Sequence, residues 1–236
     1  MNFAEAHTYF TDLIESDQNF ALVRYVDGEL ALMRNQGVGR QTQAFNEDRW
    51  DAPAKPTRLG EDLIRGLSHT ESNYYYGIPG KNDCQESYEY LSSLIPEENI
   101  TYAALFVNAN YQKTKDFFKN LKKPVNLLAN ESGNPDGLPF EVESFCSFPD
   151  DCVNWWEERA DSFLQLMRSW VLAAENETFF VAAGPVSEVI IDEMYKANPN
   201  NQYIDVGSAL DELFYGRQTR PYMNSSSQYA AQVSTF

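Results

Sequence analysis

The sequence is poor in histidine and cysteine, and both shortages narrow the range of functions. It has two histidines, His7 and His69, so a histidine-rich zinc site or a Ser-His-Asp hydrolase is poorly supported. Its three cysteines, Cys84, Cys146 and Cys152, have neither the spacing of a zinc site nor the even number of a disulfide framework. This cysteine usage favours a reducing compartment.

Positive charge is also scarce. The chain has 18 Lys and Arg residues against 35 Asp and Glu residues, which gives a formal net charge of −17. Such a field repels nucleic-acid phosphates and anionic membrane surfaces, so we expect no nucleic-acid partner. A small anionic ligand would need a local device to overcome the repulsion, either a cation or oriented backbone N–H groups.

Long apolar runs are missing as well. Residues 1–20 carry acidic and polar side chains where a signal peptide needs a basic patch and an apolar run. No later stretch approaches the roughly 18 apolar residues of a membrane span. We therefore expect a cytoplasmic protein without membrane insertion, and leave open peripheral association through partners. The sequence does not indicate an oligomeric state.

The residues that are present indicate a folded α/β protein. Of the 236 residues, 43% are hydrophobic and 14% aromatic, enough for a substantial core. Short β-rich runs alternate with segments of helical period, which predicts one doubly wound, mostly parallel sheet with helices on both faces. We predict a single domain over residues 1–220 and a C-terminal tail of low order over residues 221–236.

The predicted elements follow this alternation along the whole chain. Strands are expected near Phe20–Val26, Asn73–Gly77, Thr101–Val107, Pro124–Leu128, Ser144–Phe148, Thr178–Ala183 and Gln202–Val206. Helices are expected at Ala4–Glu15, Glu29–Asn35, Arg58–Ser68, Gln85–Leu94, Tyr111–Leu121, Asp151–Ala174, Val186–Ala197 and Ala209–Phe214. The segment Gly37–Thr57 has no clear period, and its length is typical of a functional loop. The order of the strands in the sheet cannot be predicted.

The most informative motif follows the first predicted strand. The strand ends in Asp27, Gly28 and Glu29 just before a helical pattern begins. Ligands of α/β sheets gather at the carboxyl ends of strands, and Gly28 permits a sharp bend that would bring both carboxylates to one cation. Oxygen ligands of this kind suit Mg²⁺ or Mn²⁺. The alternative is an ordinary turn in which Glu29 only adds negative charge to the first helical turn.

The run Arg24-Tyr25-Val26-Asp27-Gly28-Glu29 resembles the signature of the GT-D type bacterial glycosyltransferases, whose strand reads Arg, aromatic, Gly, Asp, Gly, Glu. Val26 departs from the usual Gly but leaves both carboxylates in place. The resemblance continues, in the order expected for the family, at Phe106–Tyr111, Val181–Pro185, Ile204–Asp211 and Gly216-Arg217.

The resemblance implies transfer of a sugar from a nucleotide diphosphate donor, expected to be a UDP-sugar, to a glycan or glycoconjugate acceptor. It assigns the metal, Mn²⁺ or Mg²⁺, to Asp27 and Glu29. A bound cation would stabilise the charge that develops on the leaving phosphate.

Other residues at predicted strand ends are candidates for binding the donor. Asn108 and Asn110 could bond a base, ribose or sugar hydroxyl, although capping the next helix is an equal explanation. Gly184 and Pro185, with Ser187, could present a helix N-terminus to a phosphate, and the alternative is a plain turn.

Basic and acidic residues complete the candidate site. Arg24, inside an apolar strand, needs a partner such as Asp27, Asp205 or a phosphate. Arg217 and Arg220 could clamp a diphosphate, or could be solvated surface arginines. We take Asp205 as a candidate catalytic residue, and Asp211 and Glu131 are further candidates for the base.

Two other functions remain open at this stage. A nucleoside-cofactor enzyme such as a methyltransferase would use Gly184 near the cofactor and Asp205 on the ribose, but would leave Asp27 and Glu29 without a task. A non-catalytic carbohydrate-binding protein would stack sugars on exposed aromatic residues such as the run Tyr74-Tyr75-Tyr76. Burial of alternate residues in a strand explains that run equally well.

Overall fold

The computed structural model of the protein describes residues 1–37 and 56–236. The predicted loop Gly37–Thr57 therefore lies mostly outside the described residues. Seven strands form one sheet in which every pairing is parallel. The strands are β1 (Phe20–Arg24), β2 (Tyr74–Ile78), β3 (Ile100–Tyr102), β4 (Val125–Asn130), β5 (Val142–Phe148), β6 (Thr178–Ala182) and β7 (Gln202–Asp205). Their order across the sheet is β3-β2-β1-β7-β6-β4-β5.

Eight α-helices accompany these strands within the described residues. They are α1 (Phe3–Glu15), α2 (Asp27–Met33), α3 (Arg58–Gly66), α4 (Lys81–Ser92), α5 (Tyr111–Asn120), α6 (Cys152–Val171), α7 (Ser187–Ala197) and α8 (Asp211–Tyr215). The predicted α/β class and parallel sheet are confirmed. None of the helices in the two described ranges combines the length and apolar content needed to cross a bilayer.

Helices cover both faces of the sheet, and the strands show why. In β1, Ala21 and Val23 point into the core beneath α2, α3, α6 and α7, whereas Phe20 and Leu22 point into the core beneath α1, α5 and α8. Because successive side chains of a strand point to opposite faces, a strand apolar at every position needs cover on both sides. The continuous apolar run of β1 therefore requires the two-sided architecture.

The long helix α6 packs on the sheet through its apolar stripe. Trp156, at the centre of that stripe, is fully buried, and its indole Nε1 donates to Asp62 of α3 at 2.8 Å. The bond satisfies the polar end of a buried aromatic ring, as such rings usually require. Trp156 therefore has a packing role between α6 and α3.

Two segments differ from the expected structure. The strand expected over Thr101–Val107 ends at Tyr102, because the next residues form tight turns in which Leu105 and Val107 donate backbone N–H bonds three residues back. The segment 221–236 is not a detached tail. The Phe236 ring stacks on Tyr102 with ring centroids 4.1 Å apart, and the Thr235 carbonyl accepts from the Lys81 N–H.

The sheet topology fixes where a ligand can bind. The first and last strands, β1 and β7, are neighbours, and from β1 the chain winds outward to β2 and β3 while the remaining strands lie on the other side. Ligands of open α/β sheets bind at such a switch point, beyond the carboxyl ends of the strands. The segments that follow β1, β6 and β7 carry most of the candidate residues.

Candidate active site

A cavity of about 500 Å³ lies at the carboxyl edge of the sheet. Its described lining has seven acidic side chains but only two basic ones, both arginines. The acidic residues are Asp27, Glu29, Asp83, Asp150, Glu188, Asp205 and Asp211, and the arginines are Arg24 and Arg220. The volume falls within the usual range for small-molecule sites. The charge balance makes the cavity a poor site for an anion unless a cation is bound with it.

A buried ion pair joins the ends of β1 and β7. Arg24 donates from Nε and Nη2 to the two carboxylate oxygens of Asp205, at 2.8 and 3.2 Å, and from Nη1 to the Ala103 carbonyl at 3.2 Å. The two side chains are 11% and 4% exposed. A bidentate, buried arginine pair of this kind is held in one geometry. Arg24 thus finds the partner that its place in an apolar strand required.

Gly207 adds a further hydrogen bond to this ion pair. Its N–H donates to Asp205 Oδ1 at 2.8 Å, and its φ of +44° lies in the left-handed region. A Cβ at this position would overlap the Arg24 guanidinium. Asp205 therefore receives three hydrogen bonds and positions Arg24. Both carboxylate oxygens take part in these bonds, which favours a positioning role for Asp205 over the catalytic role expected from the sequence.

Asp27 and Glu29 both line the cavity, at the start of α2. Asp27 is exposed, whereas Glu29 is 5% exposed and its Oε2 accepts the Val26 N–H at 2.8 Å. Glu29 thereby caps its own helix, which the Val26 side chain cannot do. Gly28 lies between them and also lines the cavity. The two carboxylates lie at the carboxyl end of β1, as the motif predicted.

No basic side chain among the described residues offsets the burial of Glu29. Burial, together with the negative charges of Asp27 and Asp205, raises the pKa of Glu29 to about 8, although backbone N–H bonds act to lower it. A buried carboxylate is stable only with a cation or several donors. A cation bound between Asp27 and Glu29 would supply that charge.

The available donors fit a hard divalent ion. In the described ranges, no three or more His, Cys, Asp and Glu side chains are grouped so that they could hold a metal together. The protein would therefore supply two carboxylates, and phosphate oxygens and water would supply the rest. Mg²⁺ is commonly bound in this way, through one or two carboxylates and substrate phosphates.

The two asparagines after β3 have different places. Asn108 lines the cavity and adopts a φ of +54°, a conformation that asparagine tolerates better than most residues. Asn110 is buried, and its amide donates to the carbonyls of Phe3 and Leu105 at 3.3 and 3.0 Å. Asn110 is therefore a structural residue that ties α1 to the turn, contrary to its expected role in donor binding.

The turn after β6 brings Gly184 and Pro185 to the cavity, with Gly184 at a φ of +58°. Ser187 does not line it; its hydroxyl accepts the Ala183 N–H at 3.0 Å inside the turn. The next residue, Glu188, places a buried carboxyl in the first turn of α7 and lines the cavity. A phosphate at this helix N-terminus would meet that acid, so the expected phosphate site is not supported.

Of the C-terminal arginines, Arg220 lines the cavity, whereas Arg217 is exposed and lies outside it. The base candidates divide in the same way. Asp211 lines the cavity at 8% exposure, and Glu131 is exposed outside it. The segment after Arg220 also contributes Tyr222 and Gln232 to the wall. Sequence reasoning missed them because a polar, Ser-rich segment does not reveal where it packs.

Comparison with known proteins agrees with this architecture. Neither the protein-family models nor the curated proteins include a match. A solved structure described as a highly conserved domain of unknown function, 1792, with a distinct glycosyltransferase fold is 14% identical, with a TM-score of 0.57 over 90% of this chain and 80% of that chain. A second, described as a new glycosyltransferase from Streptococcus sanguinis, is also 14% identical with a TM-score of 0.57, over 89% and 81% of the two chains.

The chain shares the fold of these solved structures, one of which is described as having a distinct glycosyltransferase fold. A selenomethionine-substituted structure of the same domain agrees, with a TM-score of 0.59 at 14% identity over 89% of this chain and 78% of that one. The resemblance carried by residues 24–29 thus correctly predicted the fold. In this fold, the cavity with Asp27 and Glu29 lies where open α/β sheets bind their ligands.

Proposed function

We propose that the protein is a metal-dependent glycosyltransferase that moves a sugar from a nucleotide diphosphate donor, a UDP-sugar, to a glycan or glycoconjugate acceptor. One observation carries the proposal. Asp27 and Glu29 stand together in the wall of an acidic cavity at the carboxyl edge of a GT-D fold. The fold alone would leave the activity open, because one fold hosts many functions.

The charges of the cavity support metal dependence. Of the two arginines that line it, Arg24 is engaged by Asp205, so a donor diphosphate would meet mostly carboxylates. A divalent ion held by Asp27 and Glu29 would turn this repulsion into attraction. When bound, Mn²⁺ or Mg²⁺ supplies charge stabilisation for the departing diphosphate. The protein's own part is to hold the two carboxylates in place through the β1–α2 turn.

The remaining walls provide groups for the rest of the donor and for the acceptor. Asn108 offers an amide with donors and an acceptor, and Arg220 offers a guanidinium. Asp211 lines the cavity near the C-terminal segment and is our candidate for the base that accepts the acceptor's proton. Asp205 is withdrawn from that role because Arg24 and Gly207 engage it.

The structure weakens both alternative functions. A ribose bound by Asp205, as a methyltransferase would need, must displace its bonds from Arg24 and Gly207. A sugar-stacking surface at Tyr74-Tyr75-Tyr76 is not available, because Tyr74 and Tyr76 are buried in β2. The Tyr75 hydroxyl is 3.1 Å from that of Tyr9 on α1, away from the cavity.

Transfer or hydrolysis of UDP-sugars in the presence of Mn²⁺ tests the proposal. We expect Asp27→Asn and Glu29→Gln each to lower kcat by at least roughly 100-fold, the size seen when a group that stabilises transition-state charge is removed. Glutamine at position 29 keeps a carbonyl that can accept the Val26 N–H, so the helix cap survives. Chelation of the metal should abolish activity, and added Mn²⁺ should restore it.

Asp12→Asn is the matched control, because Asp12 is an exposed acid of α1 that does not line the cavity. It should leave activity unchanged. Circular dichroism of each variant verifies the fold. Full activity in Asp27→Asn or Glu29→Gln, or activity that survives chelation, would contradict the metal assignment.

A further inference from the structure

Glu188 is a buried acid in the cavity wall, and the reaction proposed above assigns it no role. It is 1% exposed and lines the cavity from the first turn of α7. Its Oε2 has no hydrogen-bond partner among the residues that the structure describes. In proteins, the great majority of buried polar atoms have a hydrogen-bond partner. An unpaired oxygen on a residue that lines a cavity therefore indicates a position where a ligand could bind.

No nearby charge satisfies this carboxyl. Burial raises the pKa of Glu188 well above its usual value, and Glu29 and Asp205 raise it further. Arg24 is the cation that acts on it, but the guanidinium of Arg24 is already bonded to Asp205 and to the Ala103 carbonyl. Among the residues that the structure describes, none is left to pair with Glu188, so a ligand bound in the cavity is the partner to consider.

Three kinds of partner for Glu188 can be compared: a phosphate, a metal ion and a hydroxyl group. An ionised phosphate oxygen can only accept a hydrogen bond, so a phosphate does not pair with the ionised form of Glu188 beside Glu29 and Asp205. A metal ion shared with Asp27 and Glu29 is not favoured, because no group of three acidic side chains in the described ranges is arranged around one ion. A hydroxyl group fits, since it can donate to a carboxylate and can also accept from a protonated carboxyl.

We propose that Glu188 binds a hydroxyl group of the transferred sugar and so contributes to the choice of donor. This inference rests on the proposed function, which brings a sugar nucleotide into the cavity. The sugar would reach past the metal carboxylates at the wall to the unpaired oxygen of Glu188. Removing that oxygen weakens binding of the sugar and leaves binding of the nucleotide alone.

Isothermal titration calorimetry with Mn²⁺ present tests the assignment, using UDP, UDP-glucose, UDP-galactose and UDP-N-acetylglucosamine as probes. We expect at least one sugar nucleotide to bind the unmodified protein about tenfold more tightly than UDP, the value of one good hydrogen bond. Glu188→Met removes both oxygens at similar length and should abolish that advantage, leaving UDP affinity within about twofold.

Two further variants keep the result interpretable. Glu188→Gln retains hydrogen-bonding atoms and should lose only part of the advantage, about threefold, so it serves if Glu188→Met does not fold. Glu193→Gln is the matched control on the same helix, because Glu193 bonds Arg168 and does not line the cavity. It should bind every probe as the unmodified protein does.

The outcomes separate the two proposals. An unchanged sugar advantage in Glu188→Met and Glu188→Gln overturns the role of Glu188 and leaves the glycosyltransferase proposal standing. An equal loss for UDP and the sugar nucleotides also overturns it, because Glu188 would then act on the metal or the phosphates. If the unmodified protein binds none of the four probes with Mn²⁺, the UDP-sugar proposal itself fails, and the role of Glu188 fails with it.

Discussion

Two buried acids, one helical turn apart on α7, have opposite surroundings. Asp192 is 2% exposed, and its oxygens lie 2.7 Å from His69 Nε2 and 2.7 Å from Lys196 Nζ. Glu188 is 1% exposed and has an oxygen without any described partner. Both acids carry the same cost of burial. Among the described residues, the acid in the helix layer has basic side-chain partners, whereas one oxygen of the acid in the cavity has no hydrogen-bond partner.

Other buried acids follow the same division. Asp62, between α3 and α6, receives the Trp156 indole and forms ion pairs with Arg58 and Arg65. Glu29, in the cavity, receives backbone N–H bonds but no side-chain cation. The buried acids with basic partners stabilise the packing of helices. The acids without them lie where we propose that a metal and a sugar bind.

We expect the largest effect on stability from the Arg24–Asp205 pair. It lies at the cavity, yet its buried acid has a basic partner. Arg24→Met leaves Asp205 buried with only the Gly207 N–H, and we expect a loss of about 4 kcal/mol in the free energy of unfolding. Urea denaturation measures it. The double variant Arg24→Met with Asp205→Asn should regain part of the loss. A loss below about 1 kcal/mol would mean that the pair is not a structural element.

Removing the charge of Asp192, which contacts His69 and Lys196, should also lower the free energy of unfolding, but by less. Asp192→Asn removes the negative charge that lies beside His69 and Lys196. We expect a loss of about 2 kcal/mol in the free energy of unfolding, typical for hydrogen bonds to a buried charged group. Sugar-nucleotide binding should not change, because Asp192 does not line the cavity. An unchanged free energy of unfolding would contradict the structural role of this cluster.

The sequence predicted the elements of the fold but not their arrangement. All seven strands and eight helices appear close to their predicted positions, because apolar period is a local property of the chain. The sheet order depends on pairings between distant segments, which no local pattern encodes. The run 103–107 shows the limit, since its apolar residues resemble a strand but form turns whose side chains are buried by other elements.

The candidate site was predictable where residues follow a strand directly. Asp27 and Glu29 could be placed at the cavity because they follow β1, and parallel strands bring their carboxyl ends to one edge. Asp205 was placed correctly, but its bonds to Arg24 depend on β1 and β7 being neighbours, which was unknown. Glu188 had only a weak signal, an acid in a first helical turn, which is common for reasons unrelated to ligands.

The smallest expected change in the free energy of unfolding is a gain rather than a loss, and it concerns Glu188. Glu188→Gln makes the same change of acid to amide as Asp192→Asn, but it removes no bond to a basic side chain. Without ligand, we expect no loss in the free energy of unfolding and a gain of up to about 1 kcal/mol, because a buried ionisable group without a matched partner is unfavourable. Urea denaturation of both variants at one pH measures the contrast. Equal destabilisation by the two would mean that Glu188 is matched within the protein, and the division between α7's two acids would disappear.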